Sequence, residues 1–148
     1  MKSPPPPALH VAEPPAAYQL RPPMVVDCSA LSAVLFDEPT RDAALAQLAG
    51  RSLHAPNLLD HEIVSVALKK RQQDWPADSL ALALADYCAY DIDLHPIDLA
   101  AQYALAQRYQ LSAYDAAYLW LAAELRAPLA TFDRKLATAA QTHLSTLG

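Results

Sequence analysis

The chain has 148 residues, 53% of them hydrophobic, which is room for one cored domain and not comfortably for two. Ala (31) and Leu (24) dominate while Val and Ile together number 9, excluding an all-β sandwich or barrel, and Gly50 and Gly148 are too few for a Walker A loop or a dinucleotide fingerprint. The net charge is −5, and because residues 1–23 carry one net positive charge (Lys2 and Arg21 against Glu13) the remainder stands at −6, the wrong sign for a generic electrostatic nucleic-acid binder.

Residues 1–23 hold 8 of the 13 prolines and are expected to form an extended, disordered tail, with Met24 directly after it as a second candidate start of translation. Met24 to Asp27 reads as a short buried strand closed by an acid, and Ser29 to Phe36 as a short helix stopped at Asp37-Glu38-Pro39. Thr40 is expected to cap a helix ending at Gly50. Ser52 to Ala55 is a second strand, stopped at Pro56, and Asn57 is expected to cap a helix to about Arg71. Pro76-Ala77-Asp78 starts a helix to about Tyr90, and Ile92 to His95 is a third strand ended by Pro96. Asp98 caps a helix to about Tyr109 and Ser112 another to about Arg126. Leu129 to Thr131 is a fourth strand, and Arg134 to His143 the last helix.

Short strands alternating with one or two helices give a single α/β/α domain over 24–148, with a short parallel sheet of about four to five strands. No apolar run reaches the ~20 residues that span a bilayer, and the N-terminus has no apolar signal-peptide core. Cys28 and Cys88 are too few for a Cys-rich zinc site and read as small buried apolar residues of a reducing, cytoplasmic protein.

Ligands of parallel sheets bind beyond the carboxyl ends of the strands, which is where the acids fall. Asp27 closes the first strand and Asp133 follows the fourth; Glu62 lies in the second turn of its helix and Asp115 at N3 behind Ser112. Singly, Asp115 reads as a helix-dipole partner, Glu62 as a solvated residue and Asp133 as a helix cap; Asp27, between an apolar strand and a buried helix, is harder to explain away. Together they converge on one sheet edge, where their repulsion would raise their pKa values unless a hard divalent cation, Mg²⁺ or Mn²⁺, were held.

Val25-Val26-Asp27-Cys28-Ser29-Ala30-Leu31 resembles the opening strand and helix of PIN-domain ribonucleases. Glu62 with Ser65 to Lys70, the stretch Leu111 to Leu119 around Tyr114-Asp115, and Pro128 to Leu136 around Thr131-Phe132-Asp133 resemble their second, third and fourth acidic motifs. In order and spacing the set is most similar to VapC toxins of bacterial toxin–antitoxin pairs, over about residues 24 to 140. Cys28 departs from the small residue common at its position, and the tail has no counterpart. The resemblance implies a Mg²⁺-dependent endoribonuclease (Mn²⁺ substituting) that hydrolyses RNA phosphodiester bonds, tRNA or rRNA among its candidate substrates, and that is inhibited by a cognate antitoxin. It implies Asp27 and Asp115 as primary metal ligands, Glu62 and Asp133 as holders of metal-bound water or a second ion, and Ser29 and Thr131 as hydrogen-bond supports.

Because the overall charge is wrong, the grip on RNA falls to local cations: Arg41, Lys69-Lys70-Arg71 and Arg134-Lys135, each of which alone also reads as solvated surface. Trp75 is expected at a helix junction, and Tyr87, Tyr90, Tyr103, Tyr109, Tyr118 and Trp120 in core or interface. The helix from Ser112 to Arg126, apolar nearly all round, suggests a homodimer or antitoxin surface. His54, His95 and His143 are not spaced as a metal set. Two rivals remain: a catalytically idle PIN-like interaction module, and a phosphoacceptor receiver domain, against which His95-Pro96 speaks where that fold wants an acid.

Overall fold

The computed structural model describes residues 21–147, so the tail expectation lies, for residues 1–20, outside the described residues. The order is β1 (Pro23–Val26), α1 (Cys28–Leu35), α2 (Arg41–Leu48), β2 (Ser52–Pro56), α3 (Leu59–Gln72), α4 (Ala77–Ala89), β3 (Ile92–His95), α5 (Leu99–Tyr109), α6 (Ala113–Leu125), β4 (Leu129–Ala130) and α7 (Arg134–Leu144). Four parallel strands pair in the order β3-β2-β1-β4, flanked by these seven helices. β1 opens at Pro23, where a missing N–H is tolerated because the residue is first in the strand. The chain moves outward from β1 to β2 and β3, then crosses back to place β4 on the other side of β1, with Val25 opposite Leu129. That reversal leaves a crevice beyond the carboxyl ends of β1 and β4.

The elements follow from their residues, with two exceptions at helix starts. Asp27, Asp98, Ser112 and Asp133 cap their helices through side-chain oxygens. Thr40 does not: at φ −89° and ψ 8° its side chain makes no cap bond. Asn57 does not cap either, because its N–H is held by the carbonyl of His95 at 3.0 Å and α3 starts only after Leu58. Glu62 consequently falls in the first turn of α3. Gly50, after the last turn of α2, has φ +73° and supplies the expected left-handed exit.

Met24, Val25 and Val26 are all buried, as befits a central parallel strand covered on both faces. α6 lies against β1, β2 and β4 and between α5 and α7, and it buries Ala116, Ala117, Tyr118, Leu119, Leu121 and Ala122. The apolar circumference of α6 is thus largely accounted for inside the domain, while Tyr114 on the same helix stays 60% exposed. A smaller cluster joins Phe36, Ala67, Leu80 and Ala83, with the Trp75 ring edge-on to Phe36 at 6.3 Å. Of the two cysteines, Cys28 is half-buried but Cys88 is exposed on α4, against the expectation of burial. No helix among the described residues is long and apolar enough to cross a membrane.

One polar strip runs across β2 and β3. His54 Nδ1 lies 2.9 Å from His95 Nε2, and His54 Nε2 lies 3.0 Å from Ser52 Oγ. Burial lowers the His54 pKa, only partly offset by the Asp93 carboxylate 3.8 Å away.

Candidate active site

Asp27 is the centre of the crevice. It is 5% exposed, and its carboxylate does three things at once. Oδ1 caps α1 by accepting the Ala30 N–H at 3.0 Å and also accepts the Ser29 hydroxyl at 2.7 Å. Oδ2 accepts the Thr131 hydroxyl. Each hydroxyl has one proton and spends it on Asp27, so each is left to accept from the backbone: Ser29 Oγ takes the Phe132 N–H and Thr131 Oγ1 the Asp133 N–H, both at 2.9 Å. The loop after β1 is thereby cross-braced to the loop after β4. A carboxylate offers about four lone-pair sites, so three acceptances leave Asp27 one free, on Oδ2.

The other three acids arrive from separate elements. The first turn of α3 presents Glu62, half-buried, with Oε1 accepting the Tyr118 hydroxyl at 2.5 Å. Asp115 sits half-buried in the first turn of α6, where its N–H is capped by Ser112 Oγ at 3.1 Å. Asp133 is exposed and caps α7 by accepting the Leu136 N–H at 3.0 Å. The cap expected for Asp133 is therefore present, and it coexists with proximity to the other acids.

These carboxylates feel one another. Burial raises the pKa of Asp27, opposed by its three hydrogen bonds and reinforced by the charge of Asp133. Burial likewise raises Glu62, with the Tyr118 hydrogen bond lowering it and Asp27 and Asp115 adding repulsion. Asp115 is raised by burial and then by Asp133 and Asp27, against a partial offset from Lys135. Burial also pushes the Cys28 thiol up to about 11, so it stands in the crevice wall as a neutral group.

The donor set suits a hard divalent cation. All four groups offer oxygen, and Mg²⁺ commonly takes only one or two carboxylates while keeping several waters. Among the described residues no three His, Cys, Asp or Glu side chains converge into a ready-made cage.

Tyr118 escapes the sequence reading, which assigned it to the core. The available signal was its position three residues after Asp115, which puts both on one helix face. The cations sort unequally. Lys135 is close enough for its charge to act on Asp115, and Arg134 precedes it on the same turn. Lys69 is exposed and lines a groove with Ser29, Gln73 and Phe132. Lys70 is 17% exposed and already engaged, with Nζ 3.7 Å from Glu38 and 4.6 Å from the centre of the Trp75 ring. Arg71 donates to the Trp75 carbonyl at 3.2 Å. Arg41 pairs with Asp37 and lines a depression with Leu35 and Tyr90, at the opposite end of α1 from Asp27. The structure does not bring Arg41 to the acids.

The model of the PIN domain family matches residues 24–141. The chain belongs to the PIN-domain family. Within it the chain is of the VapC type: it is 35% identical over 121 residues to the VapC ribonuclease Mb0985 of Mycobacterium bovis, covering 80% of this chain and 91% of that one. It matches ribonuclease VapC9 of Mycobacterium tuberculosis to the same extent. The crystal structure of PAE2754 from Pyrobaculum aerophilum superposes with a TM-score of 0.60 at 21% identity, covering 85% of this chain and 96% of that chain, a likeness of fold. A receiver-like fold is set aside by the same match.

Proposed function

We propose that this PIN domain is a divalent-metal-dependent endoribonuclease, the toxin of a toxin–antitoxin pair. The observation that carries the reading is the buried, triply hydrogen-bonded Asp27, with Asp133, Glu62 and Asp115 near enough for charge to act between it and each of them. Buried carboxylates with raised pKa values, grouped in a cleft, mark a functional site more often than a structural one.

Asp27 and Asp115 hold the ion, Mg²⁺ or Mn²⁺, while Glu62 and Asp133 orient its water or a second ion. When bound, the metal activates water and offsets charge on the phosphoryl oxygens. Ser29 and Thr131 fix both oxygens of Asp27, so the carboxylate keeps one orientation through the reaction. Tyr118 keeps Glu62 ionised by donating to it, which opposes the desolvation that favours its protonated form. Water attacks phosphorus in line, the bond to the 3′ oxygen breaks, and the products are a 5′-phosphate and a 3′-hydroxyl. Lys69, Arg134 and Lys135 are placed to meet the RNA backbone; Lys70 and Arg71 serve mainly to hold α3 to its neighbours. The VapC character of the relatives supports an RNA substrate, a cytoplasmic setting and a cognate antitoxin. A homodimer belongs to the same reading.

The test is cleavage of tRNA and rRNA by the purified protein with Mg²⁺ or Mn²⁺, beside EDTA and Asp27→Asn controls. Cleavage that requires both metal and Asp27 is expected. No cleavage together with no thermal shift on adding metal would sink the reading and leave an idle interaction module.

A further inference from the structure

Phe132 is used neither by the core nor by the acid cluster. It is 46% exposed and belongs to neither hydrophobic cluster, although both its neighbours are tied into the crevice. Its own N–H is held by Ser29 Oγ, Thr131 is held on Asp27, and Asp133 is held on α7. The ring is therefore displayed from backbone fixed on both sides, one residue from an acid of the site. It lines a groove of about 690 Å³ whose other walls include Ser29, Thr40, Lys69 and Gln73. That volume lies in the range of pockets for small ligands, about 300–1,000 Å³, which suits a nucleotide or two and not a duplex. Lys69 makes no ion pair among the described residues, so one wall of the groove is aromatic and another carries an available cation.

We propose that Phe132 is a stacking platform for an unpaired nucleobase beside the scissile phosphate, with Lys69 meeting the backbone of the same strand. The proposal rests on the nuclease reading and adds a contact to it, since the bases of single-stranded or looped-out RNA are free to stack on an aromatic face. Stacking is tolerant of base identity, so Phe132 selects strandedness, and sequence preference has to come from elsewhere in the groove.

The experiment measures binding without added metal in the Asp27→Asn background, which holds cleavage off. Two fluorescent probes of equal charge are compared: an oligoadenylate 12-mer and an abasic ribose-phosphate 12-mer. Phe132→Ala is expected to weaken the oligoadenylate by about tenfold, the typical order for one stacked base, and to leave the abasic strand unchanged. Phe132→Trp should retain the preference, and Lys69→Gln should weaken both probes alike. A folded Phe132→Ala protein, with unaltered Tm, that binds oligoadenylate as tightly as its parent overturns the proposal and leaves the ring to a protein partner. Metal- and Asp27-dependent cleavage by the unsubstituted protein without any preference for bases overturns the stacking alone. A base preference lost with Phe132→Ala, but no cleavage of tRNA or rRNA and no thermal shift on adding metal, supports the stacking and overturns the nuclease reading. No binding of either probe overturns the proposal.

Discussion

Two groups of titratable side chains sit on the same four-stranded sheet and are built on opposite plans. Across β2 and β3, Ser52, His54 and His95 close a hydrogen-bonded chain in which burial holds the His54 pKa down and Asp93 partly offsets it. Beyond β1 and β4, Asp27, Glu62, Asp115 and Asp133 bring like charges together, with only Lys135 offsetting one of them. The histidine strip satisfies itself. The acid crevice is satisfied in its hydrogen bonds but not in its charge, and that difference separates the two polar features.

The two regions should also titrate in opposite senses. His54 has a folded pKa below its unfolded value, so its contribution is complete above about pH 6.5 and is lost as pH falls through that value towards the folded pKa. Asp27, Glu62 and Asp115 have folded pKa values above their unfolded ones. Their charged forms therefore cost stability above the folded pKa, and the cost disappears as pH falls through it.

The largest effect expected is from Asp27→Asn. Cleavage should fall by more than about 100-fold, beyond the 10–100-fold typical of a residue that only supports a metal ligand, and the thermal shift with Mg²⁺ should vanish. Asn still caps a helix, so the metal-free variant should melt at or above its parent at pH 7.5, the gain shrinking as pH falls through the raised pKa of the parent's Asp27. A metal-free variant that melts far below its parent would mean that the charge of Asp27 stabilises the fold, and the contrast between the two regions would break. Next come Thr131→Val and Ser29→Ala, each expected to lower Mg²⁺ affinity by about 10–100-fold, read by titrating the metal-induced rise in Tm. Tyr118→Phe should be milder. It removes one hydrogen bond, about 1 kcal/mol in denaturant unfolding, and it removes the interaction that lowers the Glu62 pKa, so the acidic limb of the activity profile should move to higher pH. The smallest effect on function is expected at the other region: His95→Gln should leave cleavage unchanged, cost about 1 kcal/mol of stability, and flatten the loss of Tm between pH 7 and 5.5.

Most of the architecture is legible in the sequence because its signals are local. β3 is bounded by Tyr90-Asp91 and Pro96, and Asp98, Ser112 and Asp133 announce helices they do cap. Thr40 and Asn57 carry the same signal and fail, because cap geometry depends on a backbone that tertiary contacts set; for Asn57 the contact is the His95 carbonyl, 38 residues away. The apolar girth of α6 was legible but ambiguous: burial by a sheet and two neighbouring helices leaves the same pattern as burial by another chain. The acids were legible as a set through the rule of strand ends. What each hydroxyl does for Asp27, and the reach of Tyr118 to Glu62, follow from contacts between distant segments that no local pattern encodes.

The brace on Asp27 also has a place in time. Thr131 lies 104 residues beyond the carboxylate it holds, on the side of the sheet that is synthesised last. Contacts of such long sequence separation form late, after the entropy of closing the intervening loop has been overcome. A nascent chain can pair β1 with β2 and bury α1 while Asp27 still lacks its partner on Oδ2, and Asp115 and Asp133 have yet to emerge from the ribosome. The crevice is therefore completed by the docking of β4 and α7 against a sheet edge that β1 and α1 have already set.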